Sequence, residues 1–486
     1  MRCLTLFSCI FVAAMTFAQT QNSTEAAPFV SVNVPIFVLN HVRVVDGTGT
    51  MAKEDQAVVI ANGMIRSIGP AASLQPPATA QVLERTGYTV LPGIVGMHNH
   101  LFYTASFSTQ VGSHGEVTEP GLVVVNLPYS APRLYLAAGV TTMRTTGSVE
   151  PYADLKVKRR IEGDLIPGPK IDVTGPYLEG PPTRFAQMHE LTGPEEARRL
   201  VDYWVAEGVT SFKAYMNITR EELGAAIEQA HSHKLKVTGH LCSVTWREAI
   251  ALGIDDLEHG PVFSDSDFVA DKKPDLCPPA AARGFNTWVN LDINGAQVHD
   301  LIQDLVVHHV AVTSTLPVFE AGTPGRPKLQ QRVLDAMSAE AAQSYLTARA
   351  RIPLDSPRTA LLRKEMDFEV AFVKAGGLLL AGPDPTGNGG VLPGFGDQRE
   401  IELLVEAGFT PVQAIQIATE NGATYLGQQD HIGTLAPGKQ ADLVLVKGDP
   451  SKSIEEIEHV ETVFKAGIGY DSAKLIDSVH GQVGIR

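Results

Sequence analysis

Positive charge is scarce in this sequence. Its 486 residues contain 39 Lys and Arg against 54 Asp and Glu, which gives a formal net charge of −15. An acidic chain without a cluster of Lys and Arg lacks the electrostatic footprint of proteins that bind nucleic acids or anionic membranes. We therefore expect neither nucleic acid nor a membrane as a partner and favour a small-molecule substrate. The composition leaves a homo-oligomer open.

Cysteine is too scarce to build a disulfide framework. The chain has four cysteines, and two of them, Cys3 and Cys9, lie within the first twenty residues. The other two, Cys242 and Cys277, are not part of a CxxC zinc pattern. We expect both to be structural. An exported protein could pair them, but the sequence does not decide whether it does.

Long apolar runs are absent beyond the N terminus, which reads MRCLTLFSCIFVAAMTFAQT. Arg2 provides a positive start, Leu4 to Ala14 form an apolar core, and Ala18 follows as a small residue suited to cleavage. The run is too short to span a bilayer. We predict a signal peptide over residues 1–18, cleavage near Ala18, and export to the periplasm or the exterior.

Strand-like segments occur at both ends of the remaining chain. Residues 30–92 and 435–486 contain alternating apolar stretches separated by Gly, Asn and Pro turns, as in IFVLNHVRVVDG and ADLVLVKGDP. They predict a small β-sandwich domain built from the N-terminal and C-terminal parts together.

Residues 93–434 show a different pattern, in which short apolar strands alternate with amphipathic helices. Eight such strands are predicted: Ile94–His98, Val140–Thr145, Lys170–Thr174, Thr210–Tyr215, Lys236–His240, Asp256–His259, Val310–Thr315 and Leu378–Gly382. This alternation favours an α/β fold, a closed parallel (β/α)8 TIM barrel, with an open doubly wound sheet as the alternative.

A lysine within a core strand needs an explanation. Lys213 lies in GVTSFKAYMNI, and strands of a parallel sheet are buried on both faces. A lysine is almost never fully buried unless it is paired. The anomaly marks Lys213 as a candidate functional residue.

Five further polar residues follow apolar strands in the same way. His98 and His100 in GMHNHL lie two residues apart and so share one face of a strand, which suits a divalent metal. His240, His259 and Asp384 each end another strand and precede a turn. With Lys213, all six fall at the C-terminal ends of barrel strands, where barrel enzymes hold their chemistry.

The order HxH, Lys, His, His, Asp resembles the amidohydrolase superfamily of metal-dependent hydrolases. LPGIVGMHNH resembles its Pro-Gly…His-x-His signature, and IATENGATYLG with GTLAPGKQADLVLV resembles its closing segment. The resemblance is nearest to the imidazolonepropionase-like and prolidase-like branch, which includes Xaa-Pro dipeptidases and ochratoxin-type amidases. Imidazolonepropionase itself is less similar because it lacks the strand lysine.

The resemblance implies two divalent metal ions, with zinc the first expectation, although His and carboxylate ligands also admit manganese, iron or cobalt. His98 and His100 would bind one ion with Asp384, and His240 and His259 would bind the second. Lys213, carboxylated by CO2, would bridge both. A desolvated lysine favours its neutral amine, which can add CO2 and become an anion that the two cations stabilise.

The reaction implied is hydrolysis by a hydroxide that bridges the two metals. Asp384 would take the proton of the water and deliver it to the leaving nitrogen. The ion held by His240 and His259 would polarise the substrate carbonyl. The catalytic residues implied are therefore Asp384, Lys213 and His259.

The substrate is less determined than the metal set. Tyr103, Arg144, His189 and Tyr215 are candidate substrate contacts, with packed tyrosines and a structural ion pair of Arg144 as the competing interpretations. We expect hydrolysis of a carbon–nitrogen amide or peptide bond in a dipeptide or N-acyl amino acid. A lactonase, esterase or cyclic-amide hydrolase on the same site is the alternative, and a non-catalytic binding protein is the third.

Overall fold

The computed structural model describes residues 24–105, 123–183, 185, 187–279, 285–387 and 390–485. The predicted signal peptide and its cleavage near Ala18 lie outside the described residues. No helix in the described ranges is long and apolar enough to cross a membrane.

The chain first forms six strands of a mixed β-sheet. These are β1 (Val30–Val32), β2 (Ile36–Val44), β3 (Lys53–Ala61), β4 (Met64–Pro70), β5 (Gln81–Glu84) and β6 (Tyr88–Pro92). β3 and β4 are joined by Asn62 and Gly63, which both have positive φ, at 51° and 78°. A two-residue turn of this kind matches the twist of antiparallel strands and so fixes the hairpin.

The barrel follows, interrupted after its first strand by a small antiparallel hairpin of β8 (Phe102–Ala105) and β9 (Val123–Asn126). The eight barrel strands are β7 (Ile94–Asn99), β10 (Val140–Thr145), β11 (Lys170–Val173), β12 (Ser211–Ala214), β13 (Lys236–Gly239), β14 (Asp256–Glu258), β15 (Ala311–Ser314) and β16 (Leu379–Ala381). Each coincides with one of the eight predicted strands to within two residues at either end.

The barrel strands are parallel and neighbour one another in sequence order. β7, β10 and β11 form one ladder, and β12 to β16 form another. A bridge between Thr174 and Ser211 connects the two ladders. The other junction is made where the backbone N–H of Asp384 donates to the carbonyl of His98 at 3.1 Å. The predicted TIM barrel is confirmed, and the open doubly wound sheet is not what the chain forms.

Helices surround the barrel and fill its βα loops. They are α1 (Ser130–Ala137), α2 (Pro151–Glu162), α3 (Pro194–Glu207), α4 (Arg220–Ser232), α5 (Trp246–Leu252), α6 (Pro261–Ser264), α7 (Phe285–Trp288), α8 (Ala296–Val307), α9 (Leu316–Glu320), α10 (Gln331–Ala336), α11 (Ala339–Ala350), α12 (Arg358–Lys374), α13 (Phe395–Ala407), α14 (Pro411–Gln416), α15 (Gly422–Tyr425) and α16 (Ser472–Asp477). Thr219 caps α4 in a capping box with Glu222, as the sequence TREE indicates. Four helices, α9 to α12, separate β15 from β16, which makes this βα connection much longer than a standard one.

The chain ends by returning to the first sheet. β17 (Leu443–Lys447), β18 (Val460–Lys465) and β19 (Ile468–Asp471) complete nine strands in the order β1-β19-β18-β17-β6-β2-β3-β4, with β5 on β2. The core of this domain includes the rings of Phe37 and Phe464, which stack at 5.0 Å. Strands from both ends of the chain are thus joined in one hydrogen-bonded sheet.

The last residues pack on both the barrel and the small domain. Ser472, at the start of α16, donates to the carbonyl of Ala137 at 2.7 Å. Further on, the backbone N–H of Val483 donates to the carbonyl of Ala336 at 3.0 Å. Because α16 also contacts β18 and β19, the segment after β19 joins the two parts of the chain.

Candidate metal centre

The six residues singled out at strand ends meet at the C-terminal mouth of the barrel. His98 is the innermost, with no exposed surface, and Lys213 is 1% exposed. His100, Lys213, His240, His259 and Asp384 line a cavity of about 760 Å³ that opens to solvent. The parallel strands bring them together because each residue ends a strand or directly follows one at the same edge of the barrel.

The two ring nitrogens of His98 face different partners. Its Nδ1 lies 2.6 Å from Oε2 of Glu258, so it donates to that carboxylate. Its Nε2 then carries the lone pair and lies 3.1 Å from Nζ of Lys213 and 3.6 Å from Oδ1 of Asp384. A carboxylate behind a histidine, with the opposite nitrogen aimed at the cavity, is the usual second partner of a metal-binding imidazole.

His259 and His240 form the other side of the centre. The His259 ring lies 4.5 Å from that of His98 and 4.4 Å from that of His240, centroid to centroid. Its Nδ1 is 2.8 Å from Oγ1 of Thr315, which leaves Nε2 as the second nitrogen available to a ligand. His259 has a φ of 73°, a left-handed conformation that is costly for a residue other than glycine and typical of functional sites.

Lys213 projects from β12 into this group of imidazoles. Burial lowers its pKa from 10.5 to about 8, although the charges of Glu258 and Asp384 act in the opposite direction. A neutral amine is thus accessible near neutral pH, and it is this form that can add CO2. Lys213 thus lies beside His98 and lines the cavity, where the family resemblance implies a bridging carbamate.

Asp384 supplies the carboxylate of the centre. Its Oδ1 lies 3.1 Å from Nε2 of His100. Burial raises the pKa of Asp384, but His98, the hydrogen bond from His100 and the charge of Lys213 outweigh that effect and lower the pKa below its ordinary value. Asp384 also has a positive φ of 52°, which is uncommon for a residue other than glycine.

The donor set fits divalent metal ions. Ligand atoms of His98, His259 and Asp384 lie within 4.8 Å of one another, close enough to share an ion. Burial also lowers the pKa values of His98, His100 and His259, so these imidazoles are neutral, as metal ligands must be. This grouping joins His98 to His259, which the family resemblance assigns to different ions.

Glu258 and Asp256 were not identified from the sequence. Both are fully buried in β14, and Arg144 donates from Nη2 to Asp256 at 2.7 Å and to Glu258 at 2.9 Å. Burial raises the pKa of Asp256 to about 7. Burial lowers the pKa of Arg144, but the charges of Glu258 and Asp256 outweigh this effect and raise the pKa overall. Two acidic residues in one buried strand, in the motif DDLEH, were the signal that could have revealed this network.

Arg144 is therefore not a substrate contact. It is 1% exposed, lies beneath the centre, and donates from Nε to the carbonyl of Met97 at 2.8 Å. The guanidinium compensates the charges of Asp256 and Glu258 inside the barrel. Of the two interpretations of this residue, the structural ion pair is the one that the geometry supports.

Tyr103 and His189 also lie away from the cavity lining. Tyr103 is on β8 between Phe102 and Thr104, which do line the cavity, so its side chain points to the opposite face. It packs on Gly387, and burial raises its pKa to about 12. The His189 side chain is 53% exposed and forms an ion pair with Glu196 at 3.0 Å.

Tyr215 does line the cavity. Its ring lies 5.1 Å from that of His240 and 5.0 Å from that of Tyr177, a wall residue that the sequence did not identify. Of the four predicted substrate contacts, it is the one that the structure places at the cavity.

Comparison with known proteins agrees with this geometry. The model of the amidohydrolase family matches residues 89–278 and 383–468. Imidazolonepropionase of Streptomyces griseus is 25% identical over 456 residues, covering 91% of this chain and 96% of that enzyme. A presumed prolidase from Bifidobacterium longum has a TM-score of 0.64 at 24% identity, over 92% of this chain and 99% of that one. A Xaa-Pro dipeptidase with bound methionine also has a TM-score of 0.64, at 19% identity, over 90% and 100% of the two chains.

Proposed function

The chain belongs to the amidohydrolase family and is a hydrolase of carbon–nitrogen bonds, and we propose that it is an exported two-metal enzyme that cleaves the amide or peptide bond of a dipeptide or an N-acyl amino acid. The observation that carries the proposal is the convergence of six residues from five barrel strands and the turns after them on one cavity. The dipeptidase fold of the solved neighbours supports the same class of substrate.

His98, His100, His240, His259, Asp384 and carboxylated Lys213 would hold two divalent ions, with zinc the first expectation. Bound there, such ions supply Lewis-acid polarisation of a carbonyl and lower the pKa of water. Glu258 behind His98 and Thr315 behind His259 orient two of the imidazoles that would hold these ions.

Asp384 is the residue that moves the proton. Its carboxylate is ionised, reaches the cavity, and lies within 3.1 Å of the imidazole of His100. It would accept a proton at Oδ from the attacking water and deliver that proton to the nitrogen of the leaving amine. Tyr177 and Tyr215 form an aromatic wall beside the centre and limit the access of further water.

Metal content and hydrolysis together test the proposal. We expect about two metal ions per chain in the wild type, promotion of metal loading by bicarbonate, and loss of both metal and activity in Lys213→Ala. A panel of dipeptides, N-acyl amino acids, esters and lactones should give the highest kcat/KM for the amides. A single metal with full activity in Lys213→Ala would overturn the carbamate assignment, and a preference for lactones would overturn the amide assignment.

Export is supported by a disulfide bond. Cys242 and Cys277 are paired, with their Cα atoms 4.9 Å apart. Disulfides form in oxidising compartments and are rare in the cytosol. We expect cell fractionation to recover the enzyme from the periplasm or the medium, with a mature N terminus just after Ala18. Recovery of an unprocessed chain from the cytosol would contradict this expectation.

A further inference from the structure

One wall of the cavity is made by the long connection between β15 and β16. The family match stops at residue 278 and resumes at residue 383, so this connection lies outside the part of the chain that the family model covers. It contributes Val318, Phe319 and Gly322 from α9 and the turn after it, Arg351 from the end of α11, and Arg358 from the start of α12. A feature of the cavity that lies outside the shared core is a natural place for substrate selection.

The charge on this wall is positive. Outside the metal centre, the charged side chains among the described lining residues are Arg351 and Arg358, and no carboxylate accompanies them there. The whole chain has a formal net charge of −15, so the positive charge of this wall is opposite in sign to the net charge of the protein. Such a wall attracts an anionic group of a substrate and disfavours a cationic one.

Arg358 occupies a space that Gly322 leaves open. A Cβ atom at position 322 would stand 2.5 Å from both Cδ and Nη1 of Arg358. Such a contact is far inside van der Waals distance, so any larger residue would displace the guanidinium. The glycine therefore leaves room for this side chain, which lines the cavity and is half-buried.

The same turn connects Arg358 to the metal centre. The ring of Phe319 lies 5.7 Å from that of His259 and is stacked on Phe263 at 3.6 Å. The backbone N–H of Gly322 donates to the carbonyl of Phe319 at 3.2 Å, so Gly322 follows one turn later. One turn of helix rises about 5 Å. Gly322, which lies beside Arg358, is thus one turn from the ring that packs on His259.

Another part of the cavity lining is apolar. Phe102, Val149 and Tyr177 belong to a buried cluster, against which Phe185, Met188 and Tyr215 pack, and all six of these residues line the cavity. The cavity thus combines a metal centre, a cationic wall and an apolar wall.

We propose that Arg358, positioned by Gly322 and assisted by Arg351 at the rim, binds a carboxylate of the substrate, and that the apolar cluster receives its side chain. The substrate is then an amide with a free carboxylate and a bulky apolar group, such as an N-acyl or dipeptide derivative of an apolar amino acid. A guanidinium is suited to this role because its planar fork binds a carboxylate through two parallel hydrogen bonds. This inference rests on the proposed function and narrows its substrate class.

The test compares an acid with its neutral analogue. The best-hydrolysed N-acyl amino acid of the panel and its C-terminal carboxamide are assayed with wild type, Arg358→Met, Gly322→Ala and Arg363→Met. Arg363 lies on the same helix, is exposed, and forms an ion pair with Asp367 at 2.6 Å, so its replacement is the matched control. Wild type and the control should prefer the acid. Arg358→Met and Gly322→Ala should lose about 10- to 100-fold in kcat/KM for the acid and little for the carboxamide, as expected for a charge-assisted pair.

Equal losses for acid and carboxamide, or no loss in either variant, would overturn the assignment. A second measurement separates this inference from the proposed function. Calorimetric binding of N-acetyl-L-phenylalanine and of its carboxamide to the metal-loaded protein needs no turnover. If no amide is hydrolysed but the acid binds more tightly, and Arg358→Met removes that difference, the anion site stands and the hydrolase proposal falls. If amides are hydrolysed without preference for the acid, the hydrolase proposal stands and the anion site falls.

Discussion

Nδ1 of His98 lies 2.6 Å from Oε2 of Glu258, and neither side chain is exposed. This contact fixes which imidazole nitrogen faces the cavity. It also joins the metal centre to a charge network below it, because the same carboxyl group accepts from Arg144 and from Thr238. One of the two histidines in the local HxH motif thus depends on a carboxylate 160 residues away in sequence.

Glu258→Gln should weaken metal binding. The amide removes the negative charge that raises the basicity of His98. Loss of such a partner of a metal-binding histidine lowers metal affinity by roughly 10- to 100-fold. Competition with a chelator measures the change. Glu228→Gln is the control, since Glu228 also pairs with an arginine, Arg198, but at the surface. An affinity within twofold of the wild type would show that Glu258 does not tune the centre.

Arg144→Met should destabilise the fold and leave substrate affinity in the remaining folded enzyme unchanged. The substitution leaves Asp256 and Glu258 buried without their cation, which costs about 3–5 kcal/mol. Urea unfolding of the metal-loaded protein measures the loss of stability, and KM measures any change in substrate affinity. Replacement of Arg160, which pairs with Glu25 at the surface, should cost less than about 1 kcal/mol. A stable variant with a raised KM would restore Arg144 as a substrate ligand.

Asp154 should make the protein less stable as the pH rises. Burial raises its pKa from 3.8 to about 7, although Ser148 and Asn126 donate hydrogen bonds to it. Between these two values the native state holds a proton that the unfolded state has released, so the unfolding free energy falls as the pH rises. A shift of about 3 pKa units corresponds to roughly 4 kcal/mol.

Asp154→Asn removes that titration. Compared with the wild type, the variant should gain stability between pH 4 and pH 8, measured by urea unfolding at each pH. The difference between the two proteins isolates this carboxyl from the other groups that titrate in the same range. A difference that does not change with pH would show that Asp154 is ionised in the native protein throughout.

The disulfide between Cys242 and Cys277 should contribute to stability. It closes a loop of 35 residues that begins two positions after His240. Loops of this length predict about 2–4 kcal/mol of stabilisation, largely through the unfolded state. The double Cys→Ser variant should unfold at lower urea concentration, and reducing agent should lower the midpoint of the wild type alone. Two titratable thiols in the mature native protein would contradict the pairing.

The elements of the barrel could be predicted because their signals are local. The strand Val140–Thr145 was predicted with the bounds that it has in the structure. Lys213 stood out for the same reason, as a lysine in an apolar run. The orientation of Tyr103, by contrast, could not be predicted from local signals. The strand β8 turns alternate residues to opposite faces, and only the register of the folded hairpin decides which face meets the cavity.

The sequence by itself determined the barrel, the small β domain and the types of residue at the strand ends, because strand alternation and turn residues act over a few positions. Only the tertiary structure decided that Glu258 supports His98, that Arg144 serves Asp256 and Glu258, and that Gly322 makes room for Arg358. Each of these relationships joins residues that are distant in the chain. Their contacts exist only once the barrel has closed and its long β15–β16 connection has folded over the mouth.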